Sequence, residues 1–125
     1  TSDAADLKKE IIKELKKMSG GQLDTQMADL QMAADIRAFE GLSRADSIRP
    51  NNTYFTTALD EQKISYLDAK EAICLNVTSA EDCINQLEDD YVFMKALNDK
   101  AFTKSAVGIA QQGNMYQVHI LLLEE

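Results

Sequence analysis

The stretch SAVGIAQQGNMYQVHILLL, Ser105 to Leu123, decides how the rest of the chain is read. Val107 and Ile109 alternate with Ala106, Gly108 and Ala110, the period of a β-strand. Gln112-Gly113-Asn114 has the chemistry of a turn, and Met115 to Leu123 makes a second strand. Its end, Ile120-Leu121-Leu122-Leu123, is apolar at every position. A strand with no polar face needs cover above and below. Helices elsewhere in the chain supply that cover. The expected fold class is therefore α+β, a three-layer α-β-α sandwich around a small, mostly antiparallel sheet.

Outward from the hairpin, four helices are predicted. Asp3 to Met18 carries Leu7, Ile11, Leu15 and Met18 at helical spacing, and Gly20-Gly21 stop it. About Thr25 to Ser43 forms the second, with Met27, Leu30, Ala34 and Ala38 inward and Asp24 or Thr25 as its cap. The only proline, Pro50, then marks a sharp turn through Asn51 and Asn52. Thr53 can cap a short third helix with Tyr54, Phe55, Ala58 and Leu59 on its apolar face. Ile64 to Leu75 reads as irregular or partly extended. Ser79 opens a fourth helix, with Asp82 three residues on and Ala80, Ile84, Leu87 and Tyr91 inward; Met94 and Leu97 fall in its last turn.

At 125 residues the chain is expected to form a single domain over 1–125. A net charge of −8 argues against nucleic acid as a partner. No apolar run is long enough to cross a membrane. The chain opens on Thr1, as a mature or excised form would. One basic run, Lys8, Lys9, Lys13, Lys16 and Lys17, reads first as a solvated helix face and second as a contact for an acidic partner or anionic surface. Cys74 and Cys83 match no zinc or redox spacing. They can close one disulfide or stay as two small buried thiols.

Three blocks in order, LDTQMADLQMAADIRAFE from Leu23, IRPNNTYFTTALDEQKISY from Ile48 and FTKSAVGIAQQGNMYQVHILL from Phe102, resemble the bacterial CAP superfamily of SCP-like domains. The resemblance covers roughly Leu15 to Leu123 and implies an α-β-α sandwich. It also implies a cleft with two histidines and two acidic residues, which in some members bind a divalent metal. Matched one by one, the first histidine position holds Ser47. The first acidic position holds Glu71, and the second falls near Asp90. No histidine lies near Val92 or Phe93, where the second belongs. The sole histidine, His119, is read as structural and outside that set. With no imidazole in the set, no metal and no cofactor are expected, because His lends such sites affinity and selectivity.

The resulting expectation is a non-catalytic, exported or surface-associated binding module. It has no catalytic residues and uses a remnant cleft lined by Ser47, Arg49, Glu71 and Asp90 to bind a protein or a small ligand. Arg49 either pairs with Glu71 or Asp90 or is a surface arginine that holds the Pro50 turn. Two alternatives stand beside it. One is a lipid or sterol carrier whose groove is lined by Met18, Met27, Met32, Met94 and Met115. The other is a hydrolase using Glu71 and Asp90 as an acid–base pair.

Overall fold

A computed structural model of the chain describes residues 3–125. The elements are α1 (Ala4–Met18), α2 (Ala28–Glu40), α3 (Thr56–Glu61), β1 (Asp68–Val77), α4 (Ala80–Glu88), α5 (Tyr91–Leu97), β2 (Phe102–Gln112) and β3 (Met115–Glu124). The three strands form one antiparallel sheet in the order β1-β3-β2. The class is α+β, as the apolar hairpin requires.

β3 is the middle strand, and Val118 through Leu123 are all buried. Side chains alternate across it. Val118, Ile120 and Leu122 join Ala72 and Cys74 of β1 and Val107 of β2 in one core cluster beneath α1, α4 and α5. Leu121 and Leu123 join Ala69 and Ala106 in a second cluster beneath α2 and α3. The sheet is thus covered on both sides. The outer layer of α2 lies unusually close. A Cβ on Gly108 would come within 2.0 Å of the Ala34 carbonyl oxygen, so glycine on β2 and Ala33, Ala34 and Ala38 on α2 let the backbones touch.

Local chemistry sets the element ends. Asp3 caps α1 by accepting from the Asp6 amide, and Gly20 and Gly21 leave it with φ of +77° and +83°. Ser79 caps α4 through the Asp82 amide. The β2–β3 turn is short, with Gln112 paired to Met115 and Gly113 at φ +65°. The Pro50 turn closes by Asn52 N–H donating to the Arg49 carbonyl at 2.8 Å, and Asn52 takes φ +68°.

Four details depart from the sequence reading. The segment expected to be irregular or partly extended holds a full edge strand, β1, paired along β3 from Asp68 to Cys74 before a register shift. The fourth helix is two, because Asp90 breaks it and caps α5 by accepting from the Phe93 amide. Tyr91 consequently turns outward and is 76% exposed. Asp24 does not cap α2, which starts after Met27 with no side-chain cap. Asp24 instead bonds β2 through its own backbone, accepting from Ser105 N–H and donating to the Thr103 carbonyl. Thr53 caps nothing either: its hydroxyl is bonded to Asn51 and Thr57, and α3 follows Phe55 without a side-chain cap.

Candidate functional site

Glu71 sits on β1 and faces α2. Its odd position in the strand turns it the same way as Ala69, into the layer where Arg37 lies. Four donors converge on its carboxylate. Arg37 donates from Nε to Oε2 at 2.8 Å and from Nη2 to Oε1 at 3.0 Å. Ser47 Oγ donates to Oε1 at 2.8 Å. His119 Nδ1 lies 3.0 Å from Oε2. An ionised carboxylate only accepts, so Nδ1 carries the proton of that bond. A carboxylate offers about four acceptor positions, and here each is taken. Neither Glu71 nor Arg37 exposes any of its side chain.

Burial pushes the Glu71 carboxyl up, but the hydrogen bonds and charges of His119 and Arg37 outweigh it and hold the group below the ordinary glutamate range. Glu40 is held low in the same way, with burial opposed by Arg49 and Arg37. Arg37 is raised despite its burial, because Glu71 and Glu40 flank it.

The network runs on to the surface. Arg37 Nη1 donates to Glu40 Oε1 at 2.9 Å, and its Nη2 also reaches the Asp46 carbonyl at 2.7 Å. Glu40 accepts from Arg49 Nε at 3.0 Å and Nη2 at 2.8 Å. Arg49 then reaches Thr57 Oγ1 at 2.8 Å and Glu61 Oε2 at 3.0 Å. Glu61, half exposed, ends the chain. Opposite charges alternate from the sheet to solvent and staple α2, the Pro50 turn, α3, β1 and β3 together. At the inner end, His119 Nε2 is buried without a partner among the described residues. Gly41 presses against it: a Cβ there would come 2.4 Å from Nε2.

Of the residues expected to share a cleft, Ser47 and Glu71 meet. Arg49 does not pair with Glu71 or Asp90; it is buried between Glu40 and Glu61. Asp90 caps α5, whose Phe93 and Leu97 pack in the cluster on the far face of the sheet. The sheet therefore separates Asp90 from Glu71, and the two carboxylates form no acid–base pair. His119, read as lying outside the set, is bonded directly to Glu71. Arg37 and Glu40 were missed altogether, although an arginine between Ala34 and Ala38 on the inward stripe of a helix signals a buried partner. Among the described residues, no three His, Cys, Asp or Glu side chains are grouped to hold a metal ion.

Two other features stand out. Cys74 and Cys83 bring their sulfurs to 2.8 Å, fully buried between β1 and α4. On the outer side of α2, Met32, Ile36, Phe39, Leu42 and Pro50 line an open apolar groove of about 680 Å³, rimmed by Asp35, Glu40 and Ser43. Phe39 is 72% and Met32 53% exposed. The remaining methionines lie elsewhere: Met18 and Met94 against one core cluster, Met27 against the other, and Met115 exposed in β3 beside the hairpin turn.

No protein-family model matches the sequence, and no curated protein matches it. Solved structures do. A cysteine-rich secretory protein from Staphylococcus aureus superposes with a TM-score of 0.71 at 11% identity, over 100% of this chain and 41% of its own. An extracellular protein containing an SCP domain from Bacillus anthracis gives 0.70 at 12% identity, over 100% of this chain and 45% of its own. The chain thus spans less than half the length of those two. An outer surface protein from Borrelia burgdorferi gives 0.74 at 13% identity, and the match covers 96% of both chains. Covered helical layers on either side of an antiparallel sheet, in the same arrangement as these structures, give this chain the fold of the bacterial SCP-like, or CAP, domain.

Proposed function

We propose that the chain is a non-catalytic binding module that acts outside the cell or at its surface, and that it takes a neutral, sterol-like lipid on the outer face of α2. The observation that carries this reading is the saturation of Glu71. A carboxylate whose acceptor positions are all filled, and which no solvent reaches, is free neither to move a proton nor to hold a ligand. The polar cleft is therefore a structural ion cluster, and binding belongs on the surface beside it. Glu40 belongs to the cluster and to the rim of the groove, so the cluster also stiffens the groove.

The groove suits an apolar ligand in size and lining. Exposed large apolar side chains two turns apart on one face of α2, Met32 and Phe39, with Ile36 between them, mark a contact surface rather than a solvated face. The rim favours a neutral ligand over a fatty-acid anion: Asp35 and Glu40 border the groove, and the chain carries a net charge of −8. The neighbours' descriptions as secretory, extracellular and outer-surface proteins support the location.

Dehydroergosterol and cis-parinaric acid, a fluorescent sterol and a fluorescent fatty acid, test this directly, since the chain has no tryptophan to interfere. The expected result is saturable sterol binding that Phe39→Asp and Met32→Asp each weaken at least about tenfold, with weak binding of the fatty acid. Failure of both probes to bind the wild-type chain overturns the reading.

A further inference from the structure

Cys74 is the last β1 residue in regular register with β3 before the strand bulges. The chain then turns through Asn76 at φ +55° and restarts as α4 after Ser79, which brings Cys83 back over Cys74. The return is clamped next to the cysteine pair. Gln86 Nε2 donates to the Leu75 carbonyl at 2.9 Å, and Gln86 Oε1 accepts from the Leu75 amide at 2.8 Å. With α4 held at that register, the two sulfurs face each other at 2.8 Å in the core cluster, among Val77, Leu87 and Val118.

We infer that Cys74 and Cys83 are joined in an intramolecular disulfide that bonds β1 to α4. Where the bond forms in the cell rests on the extracellular or surface reading above, because such bonds persist in oxidising compartments. The chemistry is thiol–disulfide exchange with an external disulfide, either oxidised glutathione or a disulfide oxidoreductase. One cysteine thiolate attacks the oxidant's disulfide, forming a mixed disulfide and releasing one oxidant thiolate. The second cysteine thiolate displaces the remaining oxidant sulfur. The pair loses two protons and two electrons, and the oxidant disulfide becomes two thiols.

The same packing dictates when this happens. In the folded, reduced chain the neighbouring Cys74 and burial push the Cys83 thiol up, so it supplies little thiolate, and neither sulfur is exposed. Oxidation therefore belongs to folding, before α4 docks on β1. Once closed, the bond is shielded from reductants by the helix that covers it. It is a permanent staple, not a switch.

Both cysteines fall in one tryptic peptide, Glu71 to Lys95, which makes the test direct. The wild-type chain is denatured, refolded in a glutathione redox buffer, unfolded again in denaturant containing N-ethylmaleimide, and digested. The expected peptide is lighter by two hydrogens and carries no maleimide; prior reduction gives two adducts. Reduction also lowers Tm by about 5–15 °C, a shift that Cys74→Ala and Cys83→Ala each abolish. Two maleimide adducts after oxidative refolding, or dimers linked between chains, overturn the inference. The same blocking done in the cells that make the protein separates bond from compartment. A pair that closes on refolding but is found there as two thiols leaves the bond standing and removes the extracellular reading.

Discussion

Arg37 and Glu71 meet through two parallel hydrogen bonds, Nε to Oε2 at 2.8 Å and Nη2 to Oε1 at 3.0 Å, with no part of either side chain exposed. A pair of this kind contributes little over an apolar replacement, but half of it is costly to leave behind. Arg37→Met should therefore destabilise the fold by about 3–5 kcal/mol, while Arg37→Met with Glu71→Leu should recover much of that loss. Urea unfolding of the two single variants and the double variant measures the coupling. Additive losses would show that the pair is not a unit.

The same cluster sets the acid limit. Glu71 and Glu40 both have depressed carboxyls in the folded chain. A depressed group contributes stability that is fully present above its unfolded value, about 4.3, and lost as pH falls through the lower folded value. The urea midpoint should stay level from pH 7 to about 5 and fall steeply below about 4. Glu71→Gln should be less stable at neutral pH and show a shallower fall in acid. An unchanged acid slope in that variant would remove Glu71 from the explanation.

Gly41 has an ordinary helical φ of −62°, so its need for glycine is steric rather than conformational. Gly41→Ala drives a methyl into the His119 ring and should cost about 1–3 kcal/mol. His119→Ala in the same chain opens the space, so the double variant should lose less than the sum of the two singles. Gly108→Ala meets backbone instead of a side chain, with nothing to yield, and should cost about 3 kcal/mol or more. Thermal melts of these four variants rank the two contacts.

Asp90 caps α5 through the Phe93 amide. Asp90→Ala should cost about 1 kcal/mol, and Asp90→Ser or Asp90→Asn only a small part of that. None of the three should change sterol binding in the α2 groove. A variant that folds normally and loses binding would give Asp90 a second role.

What could be read ahead of the coordinates was what depends on neighbours in sequence. The hairpin, the Ser79 cap, the double-glycine stop and the Pro50 turn each rest on a few adjacent residues. β1 was hidden because Lys70-Glu71 interrupts its apolar alternation. An inward glutamate makes sense only with Arg37, 34 residues before it, and His119, 48 residues after it. Leaving Ile64 to Leu75 as irregular or partly extended also hid His119, whose bond to Glu71 crosses between adjacent strands. The break before α5 was masked because Leu87, Tyr91 and Met94 keep helical spacing across Asp90. The resemblance put Ser47 and Glu71 in one set, and the two are hydrogen-bonded at 2.8 Å; the burial of that carboxylate depends on Arg37 and His119, far away in sequence.

The middle position of β3 has a consequence for how the protein is made. The strand that both others need is the last of the three to leave the ribosome, and β1 waits for it through α4, α5 and β2. Neither core cluster can close before that strand arrives, so the nascent chain remains pliable through most of its synthesis.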